Sequence, residues 1–156
     1  MGVGPLAGVK ILDLTSVFMG PLATACLADL GADVIKVESP DGDVIRSIGP
    51  GGTEGVGAIF QHLNRNKRSI VLDLKAADDL DILLKLAEDA DVLVYNIRPA
   101  AMTRLGLGWD RLHAINPRLV YVGTFGYSQR GCYAAEPAFD DLIQAASGFA
   151  HAMSKA

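Results

Sequence analysis

The stretch VKILDLTSVFMGPLATACLADLGADVIKVE, residues 9–38, decides the fold class. Its first segment, Val9-Lys10-Ile11-Leu12-Asp13-Leu14, is short, mostly apolar and rich in branched side chains, as expected of a strand buried in a parallel sheet. Thr15 to Met19 then reads as a turn. Gly20-Pro21 opens a helix, because proline lacks an amide hydrogen and carries a preset φ that suits a first helical turn. Leu22 to Leu30 repeats at helical spacing, Gly31 is a natural helix stop, and Asp33 to Glu38 reads as a second strand.

Working outward, Ser39 to Gly57 is dense in glycine, proline and aspartate and reads as a loop. Ile70 to Leu74 predicts a third strand, Ala76 to Glu88 an amphipathic helix, Val92 to Tyr95 a fourth strand and Leu119 to Gly123 a fifth. Helical segments lie between the last two strands. Phe139 to Phe149 predicts a final helix, with Asp140 and Asp141 suited to the positive end of its dipole, and the chain ends soon after Gly148. Strands alternating with helices predict an α/β domain with a largely parallel sheet and right-handed crossovers. No repeat, low-complexity segment or linker marks an internal boundary.

The chain has 156 residues, half of them hydrophobic, enough for one compact domain with a real core. The net charge of -4, with acids and bases interspersed, excludes a broad basic surface of the kind that holds a nucleic-acid backbone. Met1 to Pro5 has no basic region followed by an apolar run, and no stretch approaches the ~20 apolar residues that cross a bilayer, so a soluble cytoplasmic protein is expected. Cys26 and Cys132 lack the spacing of a zinc site or a disulfide framework and are expected to be reduced thiols. No metal site is expected.

In such a sheet, ligands bind beyond the carboxyl ends of the strands. Near that edge fall Lys75, Asn96 and Arg98, with Arg104 about two helical turns further on. Together they suit an anionic ligand such as a phosphorylated cofactor; singly, each reads as simply as a solvated surface group. The basic run Asn64-Arg65-Asn66-Lys67-Arg68 is either a solvated loop before the third strand or a contact to a ligand phosphate. Glu38 could accept a hydrogen bond from a ribose, but the first turn has one glycine where the dinucleotide fingerprint needs three, which argues against NAD. His62, His113, His151, Asp140, Asp141 and the cysteines are not paired at a spacing that builds a catalytic group. The residues alone describe a binding domain without a reactive centre.

Several ordered blocks carry a resemblance. Ile11-Leu12-Asp13-Leu14-Thr15 with Gly20-Pro21, then Leu27 to Glu38, Asn64 to Ile70, Leu72 to Lys75, Asp89 to Pro99, Leu105-Gly106-Leu107, Asn116 to Tyr121, Gly126 to Gln129 with Gly131, and Pro137 to Asp140 with Ser147-Gly148 are together similar to the amino-terminal part of class III CoA-transferases, the CaiB/BaiF family. The resemblance implies a Rossmann-like fold, incomplete relative to the family's two-domain interlocked homodimer. Residues 1–156 would be the amino-terminal part of the CoA-binding large domain, without the small domain or the returning carboxyl-terminal segment. It implies coenzyme A as substrate, transfer between an acyl-CoA and a carboxylic acid, and an aspartyl nucleophile that divides one acyl exchange into easier steps.

Carried over by position, the coenzyme A contacts fall on Val17, Phe18, Leu72, Lys75, Asn96, Ile97, Arg98 and Arg104. The nucleophilic aspartate of the family lies a short way beyond Ala156, and Asp140 belongs near the mouth of the active site or to a helix start. Phe139 stands where the racemase branch has a histidine, and phenylalanine transfers no proton, so that branch is disfavoured. Ser39 stands where some relatives have an arginine. The expectation is a truncated transferase, inactive by itself; the alternatives are a CoA-binding module without catalysis and one half of a split enzyme.

Overall fold

In the computed structural model, residues 3–49 and 56–155 are described; Met1, Gly2 and Ala156 at the termini and residues 50–55 of the loop expected at Ser39 to Gly57 lie outside them. The elements run β1 (Lys10–Leu14), α1 (Met19–Asp29), β2 (Asp33–Glu38), α2 (Ala58–Leu63), β3 (Lys67–Val71), α3 (Ala77–Glu88), β4 (Val92–Tyr95), α4 (Pro99–Arg104), α5 (Trp109–Ile115), β5 (Val120–Gly123), α6 (Asp140–Ala146) and α7 (Phe149–Met153). The five strands form one parallel sheet in the order β3-β2-β1-β4-β5. The α/β class and parallel sheet read from residues 9–38 are what the structure has.

Burial follows the pattern of the strands. Ile11, Val34 and Val94 pack with Ala28 and Ala32 on the α1 side of the sheet. α3 is amphipathic: Leu83, Leu84 and Ala87 are buried, Asp78 and Asp79 stand in its first turn and Lys85 in its last, each matched to the helix dipole. Leu83, Leu93, Leu107 and Leu112 are completely buried, and truncation of such a leucine to alanine costs about 2–5 kcal/mol. Gly20 lets α1 approach the end of β1: a Cβ there would lie 2.4 Å from the Thr15 Cβ.

Three sequence expectations are corrected. The third strand is Lys67–Val71 rather than Ile70 to Leu74, because β3 is an edge strand whose ladder runs Val34↔Lys67 to Glu38↔Val71 whatever its apolar content. The basic run is therefore a loop only in part: Asn64 to Asn66 form the turn after α2, whereas Lys67 and Arg68 lie in the strand. The final helix is two: Ser147 ends α6, and Gly148, with φ 77°, turns the chain into α7. A left-handed residue cannot continue a right-handed helix, and glycine takes that conformation at little cost. The short helix α2 and a 3-10 turn at Val44–Ser47 have no counterpart in the periodicity reading.

The chain divides after Gly123 into two compact units. The first holds the sheet. The second carries α6 and α7, neither of which buries a residue.

Candidate functional site

The strand order reverses direction between β1 and β4, since β1 leads outward to β2 while β4 leads the other way to β5. Open parallel sheets place ligands at the carboxyl end of such a switch point. Here that edge is made by the turn Thr15 to Phe18 after β1 and by Asn96, Ile97 and Arg98 after β4, brought side by side by the pairing of Leu14 with Tyr95.

The turn is held by side chains reaching in from four segments. Thr15 donates its amide (3.0 Å) and its hydroxyl (2.5 Å) to Asp13 Oδ1. Ser16 donates its amide to Asn96 Oδ1 (3.2 Å) and accepts from Asn96 Nδ2 (2.9 Å). Val17 donates its amide to the Asp43 carboxylate, 3.2 and 3.3 Å from its two oxygens. Val17 has φ 73°, a left-handed conformation that a β-branched residue adopts at a cost of about 1–3 kcal/mol. Val17, Phe18 and Met19 are nevertheless 40%, 50% and 61% exposed, so the tip of the turn is an apolar surface open to solvent. α1 begins at Met19 with no side-chain cap.

Beneath the turn lie two ion pairs in the interior. Lys36 Nζ meets Asp43 Oδ2 at 3.0 Å and donates to the Thr15 carbonyl at 2.9 Å. Lys67 Nζ meets Asp13 Oδ2 at 2.9 Å and also donates to the Pro21 carbonyl and to Asn64 Oδ1, while the Thr24 hydroxyl donates to Asp13 Oδ2 at 2.6 Å. Burial alone would push the Asp13 carboxyl up, but the Lys67 ammonium and the Thr15 and Thr24 hydroxyls outweigh it and hold it below the usual carboxylate range. Burial pushes the Lys67 ammonium down, with Asp13 opposing only in part. Glu38 has the same pattern: burial raises it, and Arg46, Ser69 and the Asp43 amide bring it down. Every buried side-chain polar atom among the described residues has a partner. Such a network adds little net stability but makes removal of one member expensive, and it selects one backbone geometry.

Glu38 cannot serve a ribose. Its oxygens accept from Arg46 Nε and Nη2, both at 2.7 Å, from the Ser69 hydroxyl and from the Asp43 amide. The basic run is also committed to the protein: Arg65 and Asn66 bind Asp29, Lys67 binds Asp13 and Arg68 binds Asp33.

The residues carried over from the sequence fall in two groups. Val17, Phe18, Asn96, Ile97 and Arg98 are brought together at the switch point, although both ends of the Asn96 amide are spent on Ser16. Leu72 is 3% exposed and its amide donates to the Glu38 carbonyl, so it belongs to the interior and not to the open edge. Lys75 follows β3, three strand spacings from β4, roughly 14 Å. Arg104 ends α4, about 9 Å along the helix axis from Arg98. Among the described residues, the side chains of Lys75, Arg98 and Arg104 form no ion pair. The three are thus spread along the edge and do not converge on one point.

Sequence reasoning missed Asp13, Lys36 and Asp43, and it read Lys67, within the basic run, as solvated or ligand-binding where the structure has an interior ion pair. The first two had a signal, since a charge inside ILDL or VIKVE, strands buried on both faces, needs a partner. Behind the edge, Tyr95, Pro99, Thr103, Trp109, Arg111 and Tyr121 line a cleft of about 510 Å³. Tyr121 donates to the Leu107 carbonyl at 2.8 Å, and burial together with Tyr95 pushes its phenol up. No histidine stands at the turn: His62 is in α2, His113 stacks on Trp109 at 4.5 Å and His151 is in α7. In the second unit, Asp140 lies in the first turn of α6 and accepts from Gln144 Nε2 at 2.5 Å. Cys26 and Cys132 are free and exposed. No group of residues that could hold a metal, and no helix long and apolar enough to cross a membrane, occurs among the described residues.

Residues 6–156 match the family model described as CoA-transferase family III. The chain is 46% identical over 93% of its length to an acetyl-CoA:oxalate CoA-transferase of Acetobacter aceti, and 42% identical over 96% to the human succinyl-CoA:glutarate CoA-transferase. It spans 37% and 34% of those relatives' lengths. Among solved structures it is similar to a CAIB/BAIF family protein from Brucella suis, with a TM-score of 0.89 and 39% identity, covering 93% of this chain and 39% of that one.

Proposed function

The chain belongs to CoA-transferase family III, and from that membership we propose that it is the coenzyme A-holding part of an enzyme that moves CoA between carboxylic acids. The observation that carries the reading is the split of cations at the sheet edge. The basic run is bound up in the protein, whereas Lys75, Arg98 and Arg104 are exposed and unpaired among the described residues, spread over a distance that suits an extended polyanion. CoA is such a molecule, with phosphates at one end and an apolar arm between them and the thiol. Arg98 and Arg104 would grip phosphate oxygens in pairs, Lys75 would add a point charge, and Val17, Phe18 and Ile97 would line the arm. Leu72, buried behind the edge, would support it only by packing. Asn96 would act chiefly by fixing Ser16.

The chemistry proposed for the whole enzyme is attack by an aspartate carboxylate on the acyl-CoA carbonyl, expelling the CoA thiolate and leaving a mixed anhydride. The thiolate then attacks the anhydride at the aspartyl carbon, releasing the first acid and leaving an aspartyl thioester. The acceptor acid repeats the two steps in reverse. By the family resemblance that aspartate is not one of these residues, and Asp13 and Asp43 are in any case consumed in ion pairs. The 156 residues alone are therefore proposed to bind CoA without turning it over, which equally suits a binding module or one half of a split enzyme. A homodimeric, cytoplasmic parent belongs to the same proposal and rests on the resemblance.

Calorimetric titration with CoA and dephospho-CoA tests the reading. Binding is expected, weakened by Arg98→Ala or Arg104→Ala by roughly tenfold each. Absence of binding, or full transferase turnover by these residues alone, overturns it.

A further inference from the structure

We infer that Asp43 is a positioning residue of this edge: its buried carboxylate holds Val17 in the left-handed conformation that presents Val17 and Phe18 to the ligand. The inference rests on the CoA reading above. Among the described residues the positive-φ positions other than glycine are Asn66 and Val17, and asparagine tolerates that conformation where valine does not. A force from outside the turn must therefore oppose the preference of Val17.

The geometry identifies that force. From the Thr15 amide to the Val17 amide, each backbone polar group is held by a side chain from elsewhere. Asp13 takes the Thr15 amide, Lys36 the Thr15 carbonyl, Asn96 both groups of Ser16, and Asp43 the Val17 amide. Asp43 closes this series, because the same carboxylate also binds Lys36 at 3.0 Å and the Ile45 amide at 3.2 Å. It thereby ties the loop after β2 to the turn after β1. The Lys36 and Asp43 side chains are 2% and 1% exposed, so neither meets a ligand; Asp43 acts through the Val17 amide.

Removing Asp43 alone strands the Lys36 charge in the interior and threatens the fold. The test therefore uses two variants that neutralise both partners. Lys36→Met/Asp43→Ala removes every acceptor for Val17, while Lys36→Met/Asp43→Asn keeps one oxygen in place. Both lose the ion pair and the Lys36 bond to Thr15, and because the alanine variant also loses the Ile45 bond, their affinities are compared at equal folded fraction, fixed by urea denaturation of each. The expected result is that the alanine variant binds CoA about tenfold more weakly than the asparagine variant. Equal affinities overturn the inference.

Amide exchange on the unaltered protein supplies an independent measurement. The Val17 amide, on a residue 40% exposed, is expected to exchange at least about tenfold more slowly than in a free chain. Exchange at the free rate overturns the clamp. If the unaltered protein fails to bind CoA, the CoA reading falls by itself, and protection at Val17 still decides whether Asp43 holds the turn.

Discussion

The β2–β3 side of the switch point and the β4–β5 side reach the same sheet edge with opposite chemistry. On the first side, charge is turned inward: Lys36 and Lys67 are side chains almost without solvent contact, each against an aspartate. On the second, rings pack together, with Tyr121 at 4.6 Å from the buried Tyr95 and the half-exposed Trp109 at 6.0 Å from Tyr121, while Arg98 and Arg104 are exposed. Inward charges shape backbone and are withdrawn from any ligand. Rings make no such claim on the cations beside them, which stay available. Lys75 is the one proposed ligand cation on the charged side, and it lies past the end of β3, clear of the network.

The largest expected effect breaks or upholds the charged side. Lys67→Met leaves the Asp13 carboxylate buried without its counter-ion and should destabilise the fold by about 3–5 kcal/mol in urea denaturation, with most of the loss recovered in Asp13→Asn/Lys67→Met. A loss below about 1 kcal/mol would mean that the interior pairs do not govern this side.

A second, smaller effect is the acid limb of stability. Asp13 and Glu38 have folded-state carboxyl values below their unfolded ones, so their contribution is fully present above the unfolded value of about 4 and is lost as pH falls through the folded values. The urea midpoint should hold between about pH 7 and 5 and drop below about pH 4; a drop already complete at pH 5 contradicts the assignment.

The smallest effect sharpens the ring side. Tyr121→Phe keeps the ring contacts and removes the hydroxyl, with its bond to the Leu107 carbonyl and its interaction with Tyr95, for an expected loss of about 1–2 kcal/mol with CoA affinity unchanged. A large change in affinity would show that the rings, too, shape the edge.

Much of this was legible in the residues. Asp33 to Glu38 and Val92 to Tyr95 have the bounds that their apolar runs predict, because central strands bury both faces and the composition records it. β3 was displaced because an edge strand is chosen by its neighbour's backbone, and nothing in Lys67-Arg68-Ser69 marks burial. The exposed cations Arg98 and Arg104 were found from their place after a strand. The inward network was not, since Asp13 and Lys67 are 54 residues apart and no local spacing connects them.

The sequence by itself determined the alternation of strand and helix, the edge at which to look and the family to which the chain belongs, because periodicity and ordered blocks are local properties of the chain. Tertiary structure decided which charges are spent and which remain. Asp13 and Lys36 face each other in register across β1 and β2, yet each takes its ionic partner from another segment, and only the folded path of the chain makes those distances short.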